Sequence, residues 1–98
     1  MIVRYTRQAI ADLDAARDYI ALDNPTAAAA MAARLRAAID GLKQFPERGR
    51  LGRVTGTREL VVPRTPFVVP YRIAGHEIQV LAVLHGARAW PPSSESER

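Results

Sequence analysis

Gly75-His76 separates two runs rich in β-branched and aromatic residues. A two-residue connection with glycine first closes a tight antiparallel hairpin and so fixes how its arms pair. Ala74 falls opposite Glu77. The ladder then pairs Ile73 with Ile78, Tyr71 with Val80, Val69 with Ala82 and Phe67 with Leu84. These residues are all apolar or aromatic, so they form one face for a core, and a slip of one residue would scramble it. The other face carries Arg72 opposite Gln79, then Leu81, Val83 and His85. Arg58 on the neighbouring strand and Arg88 just beyond the hairpin extend that face.

The first half of the chain reads as helices. Thr6 is a candidate N-cap. Ile10, Leu13, Ala16 and Ile20 recur at helical spacing, with Asp12, Asp14, Arg17 and Asp18 on the opposite face. This helix runs to about Leu22. Asn24 then offers a second N-cap, with Pro25 at the first helical position. The second helix spans residues 25–43, is rich in alanine, and carries Met31, Leu35, Ala38 and Leu42 as its apolar stripe. So short a link makes the two helices antiparallel neighbours.

Phe45-Pro46 ends the second helix, and residues 47–56 form a loop with Gly49, Gly52 and Gly56. Strands follow at residues 58–62, 67–74 and 77–85, and residues 2–5 form a short strand at the start. Pro70 cannot donate to a ladder, so a bulge or an unpaired edge belongs there. The expected architecture is α+β: an N-terminal strand, an antiparallel helical hairpin, then a three-stranded antiparallel sheet. Residues 1–91 make a single domain, followed by a disordered tail at 92–98.

Charge is concentrated in the second half. Arg48, Arg50, Arg53, Arg58, Arg64, Arg72 and Arg88 face only Glu59 and Glu77 between residues 48 and 88, in a chain of net charge +4. A basic region of this kind points to an acidic partner. The chain has no cysteine and two histidines, which excludes disulfides and thiolate metal sites and leaves no metal-ligand spacing. No cofactor is expected. There is no apolar run of transmembrane length, and the N-terminus lacks the layout of a signal peptide. A cytoplasmic protein without membrane contact is the expectation.

Several segments together resemble the RelE/ParE toxin superfamily. They are Ala11-Asp12-Leu13, Phe45-Pro46-Glu47-Arg48-Gly49-Arg50, Arg58-Glu59-Leu60, Tyr71-Arg72-Ile73 and Val83-Leu84-His85-Gly86-Ala87-Arg88-Ala89-Trp90-Pro91. The resemblance covers residues 1 to about 91. It implies the toxin half of a bacterial type II toxin–antitoxin pair, bound by an antitoxin with an acidic, partly disordered segment. RelE-like members cut messenger RNA on the ribosome. ParE-like members poison DNA gyrase.

Metal-free RNA cleavage needs a base, an acid and cations for the transition state. By the resemblance, Arg72 matches an arginine that contacts the scissile phosphate. Arg88 adds charge, and the His85 imidazole can act as acid or base. If the chain is a nuclease, its catalytic set is Arg72, His85 and Arg88. RelE-like enzymes also place a tyrosine or a lysine-rich set near the C-terminus, where this chain has Trp90. Its only lysine is Lys43. The incomplete set favours a gyrase inhibitor that catalyses nothing and binds its target through Arg48, Arg50, Arg53, Arg58, Arg72, Arg88 and Trp90. A ribosome-dependent mRNA endonuclease is the alternative.

Overall fold

Two side-chain caps start the helices. In the computed structural model, which describes residues 1–86, the Thr6 hydroxyl accepts the Ala9 N–H at 3.1 Å and the Asn24 Oδ1 accepts the Ala27 N–H at 3.0 Å. Each satisfies an N–H that the first helical turn leaves without a partner. Helix α1 covers Arg7–Ala21 and α2 covers Pro25–Asp40, with Pro25 at the start as expected. The second helix stops short of residue 43, because its last turn tightens into a 3-10 segment at Gly41–Lys43. The expectations for Arg88, Trp90 and a 92–98 tail lie outside the described residues.

The strands are β1 (Ile2–Tyr5), β2 (Arg50–Leu51), β3 (Arg58–Val61), β4 (Phe67–Ala74), β5 (Glu77–Val80) and β6 (Leu84–His85). The expected three-stranded sheet is therefore corrected to six strands among the described residues, in the order β1-β5-β4-β3-β2 with β6 also on β4. Three physical causes account for the difference. The N-terminal strand is not separate: it pairs parallel with β5, Val3 opposite Ile78. Part of the arginine loop is extended and joins β3, Arg50 opposite Glu59. The expected last strand breaks in two.

That break lies beside Pro70. The predicted pairs Ile73–Ile78 and Tyr71–Val80 are present, but the ladder then shifts by one residue, to Val68–Leu84 and Phe67–His85. The predicted pairs Val69–Ala82 and Phe67–Leu84 do not form. Pro70 accepts the Leu81 N–H at 2.9 Å and has no N–H to return. The interruption expected at Pro70 is thus present. Residues 81–83 leave the ladder and are held from below by α1. Thr6 donates its hydroxyl to the Leu81 carbonyl at 3.1 Å, and the Asp12 Oδ2 accepts the Val83 N–H at 3.0 Å.

One side of the sheet packs on the helices. Leu13, Met31, Leu35 and Ile39 meet Leu60, Val69, Tyr71, Ile78 and Val80 in one core. Tyr71 is fully buried, and burial raises its phenol above the ordinary value of 10.0, against a smaller lowering by its bond with Gly49. A raised folded pKa means that the stability from the neutral phenol is complete below pH 10 and is lost as pH climbs through the folded value. Denaturation midpoints measured from pH 9 upward are expected to fall steeply above pH 10, and less steeply in Tyr71→Phe.

Candidate functional site

The outer face of the sheet, away from the helices, is built by strand alternation. Phe67, Val69, Tyr71 and Ile73 point to the core, so Val68, Pro70 and Arg72 point outward. Arg72 lies opposite Gln79, and Gln79 opposite Arg4. Their side chains form a continuous chain. Arg72 Nε donates to Gln79 Oε1 at 3.1 Å, Gln79 Nε2 donates to Glu77 Oε1 at 3.2 Å, and Arg4 Nε pairs with Glu77 Oε2. The bonds from Arg4 and then Gln79 lower the Glu77 pKa from its ordinary value.

A second cluster lies at the other end of this face. Glu59 is only 4% exposed. Its Oε1 accepts Arg50 Nη2 at 3.1 Å, and its Oε2 accepts the Arg53 backbone N–H at 3.2 Å. Arg48 turns elsewhere, its guanidinium 4.7 Å from the centre of the exposed Phe45 ring, within reach of a cation–π contact.

Two expected placements are overturned. Arg58 does not join Arg72. It lies opposite Tyr71, on the helix-side face, and its Nη1 donates to the carbonyls of Gly49 at 2.8 Å and Glu47 at 3.2 Å. Its charge therefore braces the arginine loop. His85 does not share the Arg72 face either. The one-residue shift puts it opposite Phe67, with the two rings edge to face at 5.9 Å. A period of two residues turns a shift of one into a change of face. His85 instead borders a cleft of about 480 Å³ against α1, with Asp12, Ala16, Tyr19, Phe67 and Val83.

The outer face thus carries Arg50 and Arg53 at one end and Arg72 at the other, but not His85 or Arg58. Arg88 and Trp90 fall outside the described residues. Three organising residues escape the sequence-level site list. Asp12 was placed on the solvent side of its helix, yet it holds Val83. Tyr71 donates to the Pro46 carbonyl at 2.6 Å and accepts the Gly49 N–H at 2.9 Å. Glu59 lies opposite Pro70, on the face opposite Arg58, so the same register that turns Arg58 toward the helices brings Glu59 to the outer face. Among the described residues no three His, Asp or Glu side chains gather to hold a metal ion, and no helix is long and apolar enough to cross a membrane.

Residues 3–90 match the family described as the ParE toxin of the type II toxin–antitoxin system, parDE. The chain is similar to "Putative toxin Y4kP" of Sinorhizobium fredii (strain NBRC 101917 / NGR234), 42% identical over 91% of this chain and 92% of that one. It is also similar to "Toxin RelE2" of Caulobacter vibrioides, 44% identical over 88% of this chain and 96% of that one. A solved structure titled "Chromosomal ParDE TA system from P. aeruginosa" superposes with a TM-score of 0.79 at 36% identity, covering 87% of this chain and 95% of that one.

Proposed function

The chain belongs to the ParE toxin family of type II toxin–antitoxin systems, and from that premise we propose that it inhibits DNA gyrase by binding, without catalysing a reaction of its own. The supporting observation is the register shift at Pro70. It sets the Arg72 guanidinium and the His85 imidazole on opposite faces of the sheet. A phosphate held by Arg72 would have the sheet between it and that imidazole, so the two cannot act together on one scissile bond. Binding asks only for a shaped surface, and the outer face presents Arg50, Arg53 and Arg72 on a rigid sheet.

The cognate antitoxin is the second partner. A basic surface favours association with an acidic segment, and charge complementarity chiefly speeds the encounter. The cognate antitoxin is expected to co-purify with the toxin and to neutralise it.

The test is gyrase-catalysed supercoiling with purified toxin in excess. The expected result is loss of supercoiling and accumulation of cleaved DNA, both reversed by the antitoxin. Unchanged supercoiling sinks the proposal. The alternative, messenger RNA cleavage in a ribosome-containing extract, is the outcome to compare, since two Caulobacter relatives carry RelE names.

A further inference from the structure

We propose that Glu59 is a positioning residue for target recognition. Its buried carboxylate holds Arg50 and Arg53 in the geometry that meets a carboxylate-bearing patch on the target protein. This rests on the reading of the outer face as a target-binding surface.

Stability alone accounts poorly for Glu59. Its side chain is 4% exposed, whereas those of Arg50 and Arg53 are each 56% exposed. Burying a carboxylate carries a desolvation cost that half-solvated partners repay badly, and an apolar residue in such a place is often as stable. Yet the hydrogen bonds that Glu59 accepts through its side chain both come from the loop. One oxygen takes a guanidinium and the other takes the main chain of Arg53. The carboxylate thereby fixes one arginine by its head and the other by its backbone.

The rest of the loop is held just as firmly. Tyr71 and Arg58 tie down Pro46, Glu47 and Gly49. Gly52 donates to the Thr57 carbonyl at 2.8 Å, and a Cβ on Gly52 would lie 2.3 Å from the Thr57 hydroxyl. A loop that served only to connect α2 to β3 would need none of this. Preorganised arginines lose less freedom on binding than mobile ones. Behind them Val68, Pro70 and Leu84 close a void of about 10 Å³, room for about one water molecule, so it is the arginine heads that a partner meets. Two half-exposed arginines held in a fixed geometry suit the paired carboxylates of a folded protein surface.

The sign of one substitution separates positioning from bulk charge. Glu59→Gln keeps the side-chain shape and raises the net charge above +4. If overall positive charge drives binding, this variant is as toxic as the wild type or more so. If Glu59 positions the arginines, it is weaker.

The experiment induces the full-length toxin from a titratable promoter and reads the dose for growth arrest. It also measures the thermal midpoint, gyrase inhibition and antitoxin affinity of the purified proteins. Glu59→Gln is expected to need about tenfold more toxin, with little change in midpoint or antitoxin affinity. In an Arg50→Ala/Arg53→Ala background it should cause no further loss. Unchanged or increased toxicity of Glu59→Gln overturns the inference. So does wild-type toxicity of the Arg50→Ala/Arg53→Ala protein, which decides the matter even if Glu59→Gln folds badly. Because losing Arg50 leaves the Glu59 carboxylate without its ion pair, the toxicity of that protein is read at matched folded concentration from the thermal midpoint. Growth arrest judges the role of Glu59 whatever the target is, whereas failure of the wild type to inhibit gyrase counts against gyrase alone.

Discussion

Tyr71→Phe is expected to destabilise the protein by about 2–4 kcal/mol, although only one oxygen is removed. That oxygen is the joint between the core and the arginine loop. Its hydrogen goes to the Pro46 carbonyl at 2.6 Å, and it receives the Gly49 N–H at 2.9 Å. Phenylalanine fills the same space in the core but leaves both loop groups without a partner. Each unsatisfied buried group costs about 1–3 kcal/mol, whereas a hydrogen bond lost to water costs less. For a domain of this size the midpoint should drop by roughly 10 °C or more. Gly49→Ala attacks the same joint from the other side. A Cβ there would lie 2.7 Å from Tyr71 Cε1 and 3.0 Å from the Glu59 carbonyl oxygen. Neither a buried ring nor a strand backbone can swing away, so this variant should lose at least as much. Urea denaturation of the three proteins measures both effects. A loss below about 0.5 kcal/mol in Tyr71→Phe would mean that water reaches the loop groups and that the loop is not locked.

That joint also marks the limit of what the sequence makes legible. Caps, helical periodicity and the Gly75-His76 turn are local signals, and the structure has Thr6, Asn24 and the first pairs of the hairpin where local physics puts them. The resemblance carried by the scattered motifs also leads to the right family. Signals that depend on distant partners are different. Nothing near Ile2 announces that β1 will lie parallel beside β5, more than seventy residues on. The arginine loop looks free because glycine and arginine suit solvent, while its anchors, Arg58, Glu59 and Tyr71, lie later in the chain. Pro70 signals an interruption but not its size. The ladder resumes one residue out, where residues 81–83 bond to Thr6 and Asp12. His85 changes face with that shift.

Asp12→Ala tests this directly. Asp12 was placed on the solvent side because it lies outside the helix's apolar stripe, but its carboxylate accepts the Val83 N–H at 3.0 Å, across 71 residues of chain. Together with the Thr6 bond to Leu81 it holds residues 81–83 out of the ladder. A hydrogen bond to a charged acceptor contributes about 1.5–3 kcal/mol, and its removal leaves the Val83 N–H in a partly buried place. The variant is therefore expected to lose about that much stability. The second consequence is more specific. In the uniform register Leu84 would oppose Phe67, and His85 would turn to the side of Arg72. In the native shift Thr6 and Asp12 supply partners for the displaced backbone, and the prediction is that these partners decide the register. Without Asp12 the balance moves toward the uniform ladder, which by alternation exchanges the faces of Leu84 and His85. The His85 ring protons, within the ring-current field of Phe67 at 5.9 Å in the native state, should broaden or shift toward solvent values in the NMR spectrum of the variant. Thr6→Val, which removes the companion bond and the N-cap of α1 with it, should move the His85 resonance in the same direction. If Asp12→Ala keeps native stability and an unmoved His85 resonance, Pro70 alone sets the register, and α1 only rests against a strand whose phase is already decided.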